Sequence, residues 1–455
     1  MLRPEWRPGC GWRSPGHAHS REGRRPLMAR AISRPPSPAA KSEIKRERFR
    51  LRIRQVALFA AILITGGLSV IPREPLLLLV LVACFWLVNP MRMFKAEFAG
   101  IWILLAATIA AALIGGQSFQ LGALAIRFSN FLAGIALLMV YIDRRPGTIA
   151  SDLLPIFRFF GVQAVLTPIL ALLVAELFWT FNIENTTYHT LLYVFTYHEF
   201  VDTGAIFKRP DGFFFEPGVL QIYLNAYLFI ALFLRRFSIF DVGLAALAVV
   251  ATQSTTGAVI LVLQVAVAYF RWLQTAERVQ KLAVVIIAPL VLLPVAGYTT
   301  YNLAEKFYGQ FSGSAEAREY DLRTGLNVVM EKPLTGIGFD YEYYFDVAEQ
   351  VGYRDVELSR DNITERSNSN GIVTLLYSIG IPLSLVFLWG TARQRLFRPR
   401  WLFGALIFLS MTSEALFLQP FTLMVVFSGL LIPNRKGKAR RTYRPSAGRP
   451  VRTQA

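Results

Sequence analysis

The chain has 455 residues, of which 54% are hydrophobic and only 17% are charged, and its mean hydropathy is +0.42. Apolar runs of membrane-spanning length recur along almost the whole sequence, which excludes an arrangement of two or three soluble domains. The net charge of +18 does not indicate nucleic-acid binding, because the surplus Lys and Arg lie in the termini and in short loops between apolar runs. The two cysteines, Cys10 and Cys84, form no disulfide framework.

The apolar runs, taken in chain order, predict an all-α polytopic membrane protein with about 12 transmembrane helices. Residues 1–54 predict a basic, disordered cytoplasmic arm, residues 55–433 the membrane domain, and residues 434–455 a basic cytoplasmic tail. Segment 148–159 predicts a cytoplasmic interfacial stretch. The predicted spans are 55–72, 75–91, 98–115, 119–142, 160–178, 218–234, 240–253, 256–270, 281–301, 370–390, 401–414 and 418–433.

The apolar stretch 240–270 is compatible either with one long tilted helix or with a pair of short helices, and the same reasoning divides 401–433. Whether the short pieces are full spans or re-entrant hairpins stays open. Basic residues lie on both sides of each stretch. If both flanks are cytoplasmic, the chain must go out and return, and the first stretch then breaks near Thr252–Gly257.

The distribution of basic residues also predicts the orientation of the chain. With both termini in the cytoplasm, the short basic loops around Arg144 and Arg235 fall on the cytoplasmic side of the inner membrane. Two larger loops are then expected outside the cytoplasm: the first loop, residues 179–217, and the second loop, residues 302–369.

The first loop ends in the sequence KRPDGFFFEPG, Lys208–Gly218. The guanidinium of Arg209 offers a fork of donors that matches phosphate oxygens. Gly212 permits a tight turn, and the three phenylalanines are expected to anchor the loop at the bilayer surface. Glu216 precedes a predicted helix start, where it either serves as a base or simply caps the helix.

The second loop predicts an amphipathic helix over residues 316–331, which Pro333 ends. The glycines Gly336 and Gly338 that follow predict a turn with exposed backbone amides. Asn370 stands at the entrance of the next span, where such a side chain either contacts a ligand headgroup or caps the helix.

Three further features of the sequence are candidates for functional or structural roles. Arg127 lies inside an apolar span, where it either reaches a lipid diphosphate or snorkels to the surface. His189 and His198 have no third partner at a convincing spacing, so no metal site is predicted. Glu414 and Gln419 flank the break in the last apolar stretch and are expected to satisfy its turn.

Two motifs in these loops carry a resemblance to a known family. The pattern Arg-x-x-Gly-Phe-Phe-x-Glu-Pro, which starts at Arg209, resembles the O-antigen polymerase and ligase superfamily of bacterial envelope glycan assembly. The second match is an Arg followed, about fifteen residues on, by Pro-Leu-x-Gly-x-Gly and then by a polar-Asn pair entering a span. Its positions are occupied by Arg318, Pro333, Leu334, Gly336, Gly338 and Asn370.

The resemblance implies a GT-C-like fold and a metal-independent glycosyltransferase without a cofactor, acting on undecaprenyl-diphosphate-linked oligosaccharides. Arg209 and Arg318 would hold the diphosphate, and Glu216 would orient or deprotonate an acceptor hydroxyl or position Arg209. The implied partners are the lipid-linked oligosaccharide and membrane lipid, and a chain-length regulator is a further candidate partner. The implied substrate-binding residues are Arg127, Gly212, Gly336, Gly338 and Asn370.

One position departs from the family pattern. Ligases of the superfamily usually carry a His before the Asn of the second motif, and this chain has Ser369, which is expected only to help cap the helix. The absence of the His favours a polymerase, with a ligase as the alternative. A transporter is disfavoured because the sequence has no internal repeat. A purely structural role for the protein would not explain why Arg209, Glu216 and Arg318 occur together.

Overall fold

The structure is a computed structural model that describes residues 38–67, 72–116, 121–145, 147–183, 186–198, 208–235, 237–275, 312–339, 341–351 and 368–432, with the single positions 297, 300 and 304. The predicted span 281–301 lies almost entirely outside the described residues, and the predicted tail 434–455 lies outside them completely.

The described part of the chain is built mainly from helices. In chain order these are α1 (Pro38–Ile64), α2 (Arg73–Leu87), α3 (Ala99–Gly115), α4 (Leu121–Tyr141), α5 (Thr148–Leu173), α6 (Pro217–Phe229), α7 (Ile239–Ala251), α8 (Thr255–Thr275), α9 (Ser312–Glu331), α10 (Tyr341–Val351), α11 (Gly371–Ala392), α12 (Arg400–Met411) and α13 (Pro420–Leu430). A π-helical turn, Ile230–Leu234, extends α6.

Six helical segments of the described chain are long and apolar enough to cross a membrane: Ala96–Gly115, Leu121–Tyr141, Thr148–Leu173, Pro217–Leu234, Thr255–Gln274 and Gly371–Ala392. Three shorter helices, α7, α12 and α13, are also apolar. The expectation of a mainly helical membrane protein is therefore confirmed, whereas the number of about 12 spans stays a prediction.

Both of the ambiguous apolar stretches consist of two helices. In the first, α7 and α8 are separated by a break at residues 252–254, where Gln253 adopts a left-handed φ of 52°. In the second, α12 and α13 are separated by residues 412–419, which we call the 412–419 loop. The predicted break near Thr252–Gly257 is confirmed.

The N-terminal part of the membrane domain differs from the prediction in two places. Residues 38–54, expected to be disordered, form the first turns of α1. Residues 148–159, expected to be an interfacial stretch, belong to the continuous 26-residue helix α5. The two segments are joined where Arg54 meets Asp152, because the buried carboxylate of Asp152 accepts a hydrogen bond from Arg54 Nε at 2.6 Å and another from the Tyr141 hydroxyl at 3.0 Å. Pairing makes a charged group tolerable inside a helical bundle.

The first loop contains a three-stranded antiparallel sheet, so the prediction of an all-α chain is wrong here. Its strands are β1 (Trp179–Ile183), β2 (Thr186–Leu191) and β3 (Phe195–His198), in the order β1-β2-β3. The strands are rich in Thr and aromatic residues, which favour pleated structure. Leu192 and Tyr193 both have positive φ in the turn between β2 and β3, and turns of this kind are normally signalled by Asn-Gly.

The two largest hydrophobic clusters hold most of the described helices together. The larger core is centred on α13, whose residues from Pro420 to Gly429 are all buried. The smaller core joins the second loop to α11 and consists of Val328, Val329, Ile337, Tyr344, Val347, Val373 and Tyr377. The second loop is thereby packed against the membrane domain.

We predict that Asp152→Ala destabilises the protein by roughly 3–5 kcal/mol, because it leaves the buried guanidinium of Arg54 without its carboxylate. The matched control is Asp143→Ala, which removes an exposed carboxylate paired with Arg92 and should cost less than about 1 kcal/mol. Thermal unfolding of the purified proteins in detergent measures both. Equal effects of the two variants would show that the Arg54–Asp152 pair does not stabilise the fold.

Candidate functional site

The KRPDGFFFEPG segment is held against the sheet by backbone hydrogen bonds. The N–H groups of Asp211 and Gly212 both donate to the carbonyl of Thr196, at 2.8 and 3.2 Å. Gly212 has a φ of +67°, and a Cβ at this position would lie 2.8 Å from Gln163 Oε1. The turn predicted at Gly212 is therefore present, and both its backbone angle and its close packing require glycine.

The phenylalanines of this segment pack against the protein, and Phe214 does not lie at the bilayer surface as the sequence suggested. Phe214 is fully buried, and its ring stacks on Tyr223 with centroids 5.2 Å apart. The ring of Phe213 packs against Phe160, and the N–H of Phe215 donates to the carbonyl of Gly66 at 3.1 Å. These contacts fix the loop to the helical core, close to the start of α6 at Pro217.

Arg209 and Glu216, at the two ends of this motif, have different surroundings. Arg209 is half-buried, and its Nε donates to the carbonyl of Thr252 at 3.2 Å, in the break between α7 and α8. Glu216 occupies the N-cap position of α6, but its side chain accepts no capping hydrogen bond. Capping therefore does not explain Glu216, and its half-exposed carboxylate is available for another role.

The two histidines of the first loop have partners of their own. His198 Nδ1 lies 2.8 Å from Asp211 Oδ2, and both side chains are buried. Burial raises the pKa of the Asp211 carboxyl to about 6, although His198 and Arg209 act to lower it. His189 Nδ1 lies 3.1 Å from the hydroxyl of Thr180. Among the described residues no group of three or more His, Cys, Asp or Glu side chains is arranged to hold a metal ion.

The turn at Gly336 and Gly338 is buried, and its amides are not exposed as the sequence suggested. The N–H groups of Ile337 and Gly338 donate to the carbonyls of Tyr377 and Ser378, at 2.7 and 3.1 Å. These carbonyls have no ordinary helical partners, because α11 is interrupted at Gly380 and Pro382 has no N–H to donate. The turn completes the hydrogen bonding of the kinked helix.

Both glycines of this turn have positive φ, +71° at Gly336 and +83° at Gly338, and both lie against backbone. A Cβ at Gly336 would lie 2.5 Å from the carbonyl oxygen of Tyr377. The two glycines therefore have a packing role, and their N–H groups donate to carbonyls of the protein instead of contacting substrate.

Arg318 and Arg127 carry positive charge that no described acid neutralises. Arg318 on α9 is half-buried, and among the described residues it makes no hydrogen bond or ion pair. Arg323 on the same helix, in contrast, is paired with Glu319. The guanidinium of Arg127 on α4 lies 5.3 Å from the ring centroid of Phe339 and has no carboxylate partner in the described part of the chain.

Asn370 and Ser369 make different hydrogen bonds at the start of α11. The side-chain oxygen of Asn370 accepts hydrogen bonds from the N–H groups of Ile372 and Val373, so Asn370 caps α11. Ser369 does not merely help this cap. Its N–H and its hydroxyl both donate to Asp321 Oδ2, at 3.0 and 2.6 Å.

Asp321 was missed by the sequence analysis. It lies three residues after Arg318, on the same side of α9, and this spacing was the available signal. Its backbone carbonyl also accepts a hydrogen bond from Asn368 Nδ2 at 2.6 Å, so α9 is tied to the entrance of α11 at two points.

The 412–419 loop brings the two motifs together. A Cβ at Gly218, in the first turn of α6, would lie 2.0 Å from Glu414 Oε1 and 3.8 Å from Glu216 Oε2. A Cβ at Gly371, the first residue of α11, would lie 2.3 Å from the carbonyl oxygen of Glu414. The N-termini of α6 and α11 therefore meet at Glu414, although the two motifs are far apart in sequence.

The same loop also contacts α4. Asn130 Nδ2 donates to the carbonyl of Leu418 at 3.1 Å and lies 3.4 Å from Gln419 Oε1. Arg127 lies one turn before Asn130, so this arginine belongs to a helix that the 412–419 loop fixes. Glu414 and Gln419 take part in their own turn as expected, since the N–H of Leu416 donates to the carbonyl of Glu414 and the N–H of Gln419 donates to the carbonyl of Leu416. They also connect three helices.

Residues 242–388 match a family model described as O-antigen ligase. The match covers about a third of the chain and includes Arg318, the Gly336–Gly338 turn and the Ser369–Asn370 pair. The resemblance to the O-antigen polymerase and ligase superfamily is confirmed. No curated protein and no solved structure matches the chain significantly.

The family match and the apolar helices together support a membrane enzyme of the O-antigen polymerase and ligase type that acts on a lipid-linked glycan. The first motif, from Arg209 to Pro217, lies outside the matched residues. Two contacts link it to the matched region. Arg209 donates to the carbonyl of Thr252, and Glu414 lies against both Gly218 and Gly371.

We predict that Gly371→Ala lowers the free energy of unfolding by roughly 1–3 kcal/mol, because the new methyl group meets the backbone of Glu414. Gly243→Ala is the matched control, since a Cβ on α7 at that position has no neighbour within 4 Å. This control should be neutral or up to about 1 kcal/mol more stable. Thermal unfolding in detergent tests the pair, and equal midpoints would refute the close contact at Gly371.

Proposed function

We propose that the protein polymerises undecaprenyl-diphosphate-linked oligosaccharide repeat units into O-antigen or exopolysaccharide at the outer face of the inner membrane. The observation that carries this proposal is the guanidinium of Arg318, which has no described hydrogen-bond or ion-pair partner and lies in the family-matched region. Positive charge without a protein partner beside membrane helices is costly, and an anionic ligand removes the cost.

The diphosphate of the lipid carrier is the anion that suits these arginines. Arg318, Arg209 and Arg127 would hold its oxygens and stabilise the charge that develops as the glycan departs. We assign metal independence to the same arrangement, because guanidinium groups supply the positive charge that a divalent ion would otherwise provide. Glu216, whose carboxylate is not used as a cap, would orient the acceptor sugar or position Arg209.

Ser369 supports a polymerase rather than a ligase. The ligases that the second motif resembles have His at this position, and a His is suited to proton transfer near neutral pH. The description of the matched family favours the alternative, a ligase that transfers the finished glycan to another acceptor.

Both motifs are expected to face the outside of the cytoplasmic membrane, with both termini in the cytoplasm. The basic residues of the short loops support this orientation. The site would then meet lipid-linked repeat units after they have been moved across the membrane.

We predict that Arg318→Lys and Arg318→Ala both reduce polymer formation at least about 100-fold, because lysine keeps the charge but loses the planar fork of donors. Arg323→Lys and Arg323→Ala are the matched controls, since Arg323 lies on the same helix and is paired with Glu319. Polymer length and amount are read from gels of cell extracts at equal protein levels. Normal polymer in the Arg318→Lys strain would show that a bidentate contact is not used.

Two experiments test the proposed function itself. In a strain that lacks the gene, a polymerase predicts single repeat units on the carrier or on an acceptor, and a ligase predicts full-length polymer on undecaprenyl diphosphate.

With purified protein in lipid, a lipid-diphosphate-linked oligosaccharide should be extended in excess EDTA. Activity that disappears in EDTA and returns with a divalent ion would overturn the arginine-based mechanism.

A further inference from the structure

The hydroxyl of Ser369 makes a short hydrogen bond to a buried carboxylate. Ser369 Oγ lies 2.6 Å from Asp321 Oδ2, and the N–H of Ser369 donates to the same oxygen at 3.0 Å. Asp321 is 6% exposed, whereas Ser369 is partly exposed. A hydroxyl that donates to a carboxylate keeps its own lone pairs, so Ser369 can still accept a hydrogen bond from a molecule in the site.

The position of this pair relates it to the donor site. Asp321 follows Arg318 by three residues on α9, so the two side chains leave the same side of the helix. Ser369 directly precedes the cap of α11, whose first residue packs on Glu414. The hydroxyl is therefore held between the helix that carries Arg318 and the loop that contacts the Glu216 motif.

We infer that Ser369 and Asp321 form a proton relay that activates the acceptor hydroxyl, with Ser369 contacting the acceptor and Asp321 acting through it. This inference rests on the proposed glycan transfer. It gives the chain a base at the position where the ligases have His, although serine alone cannot take up a proton at neutral pH.

The relay moves one proton from the acceptor to Asp321 and exchanges one bond at the anomeric carbon. The acceptor hydroxyl gives its proton to Ser369 Oγ while Ser369 passes its own proton to Asp321 Oδ2. The acceptor oxygen forms a bond to the anomeric carbon of the donor glycan. The bond from that carbon to the diphosphate oxygen breaks, and its electron pair leaves with undecaprenyl diphosphate. Protonated Asp321 then releases its proton to water.

A purely structural role for Asp321 makes a different prediction. Asn at position 321 keeps a side-chain oxygen that can accept both hydrogen bonds from Ser369, but it cannot take up a proton. Asp321→Asn should therefore preserve the fold and remove the base. Asp346→Asn, on α10 in the same loop, is the matched control because the side chain of Asp346 is exposed.

The test uses the full-length protein in lipid with a lipid-diphosphate-linked oligosaccharide as both donor and acceptor. Asp321→Asn should lower kcat by about 10²–10⁴-fold, leave the KM for the oligosaccharide within a few-fold, and remove the acidic limb of the pH–rate profile. Ser369→Ala should give a comparable loss of kcat. The Asp346→Asn control should keep the wild-type rate and profile.

A second variant separates proton transfer from structure. Ser369→His in the Asp321→Asn background places a base directly beside the acceptor, and we expect it to restore part of the rate, with activity rising as the pH passes through about 6.5. Wild-type kinetics in Asp321→Asn, or a loss of rate that His does not restore and that leaves the pH profile unchanged, would overturn the relay.

The outcomes also distinguish this inference from the function on which it rests. If the wild-type protein extends the oligosaccharide and Asp321→Asn does so equally well, the relay is wrong and the proposed function stands. If the pH limb is instead lost in Glu216→Gln, the base is Glu216. If the wild-type protein transfers glycan from no lipid-diphosphate donor, the proposed function fails and the relay fails with it.

Discussion

The contact between Glu414 and two glycines, Gly218 and Gly371, determines how the site is assembled. Each glycine lies at the first turn of a helix, and neither position has room for a methyl group beside Glu414. Helix N-termini carry partial positive charge and unsatisfied N–H groups, so two of them directed at one place favour an anionic environment. Glu414 of the 412–419 loop supplies a carboxylate at this place, and its two contacts hold the first turns of α6 and α11 together.

Four arginines of the described residues differ in what neutralises them. Arg54 is paired with Asp152, and Arg158 forms a two-bond pair with Asp241 at 2.6 and 2.8 Å, so these charges hold helices together. Arg127 and Arg318 have no such acid among the described residues. Because a paired arginine is already satisfied, Arg127 and Arg318 are better suited than Arg54 and Arg158 to bind a diphosphate.

The sequence predicted the helical membrane character, the broken apolar stretches and the residue types of both motifs, since hydropathy and glycine positions report these directly. It could not predict what depends on contacts between distant segments. The phenylalanine run was assigned to the bilayer because its partner Tyr223 lies in another element. The amides near Gly338 were assigned to a ligand because the kink of α11 that uses them depends on Gly380. Asp321 was missed because its partner Ser369 is 48 residues away.

The π-helical turn at Ile230–Leu234 has a consequence for comparing this chain with its relatives. The turn ends α6, since the N–H of Arg235 donates to the carbonyl of Ile230 and the backbone of Arg235 is extended, so the wider winding affects only the last turn of the helix. Arg235 follows this turn, and in this orientation it donates to Ser151 Oγ on α5 at 2.7 Å. A relative whose α6 ends in an ordinary α-helical turn would leave the helix at a different angle around its axis, and the residue corresponding to Arg235 would then point away from the position of Ser151.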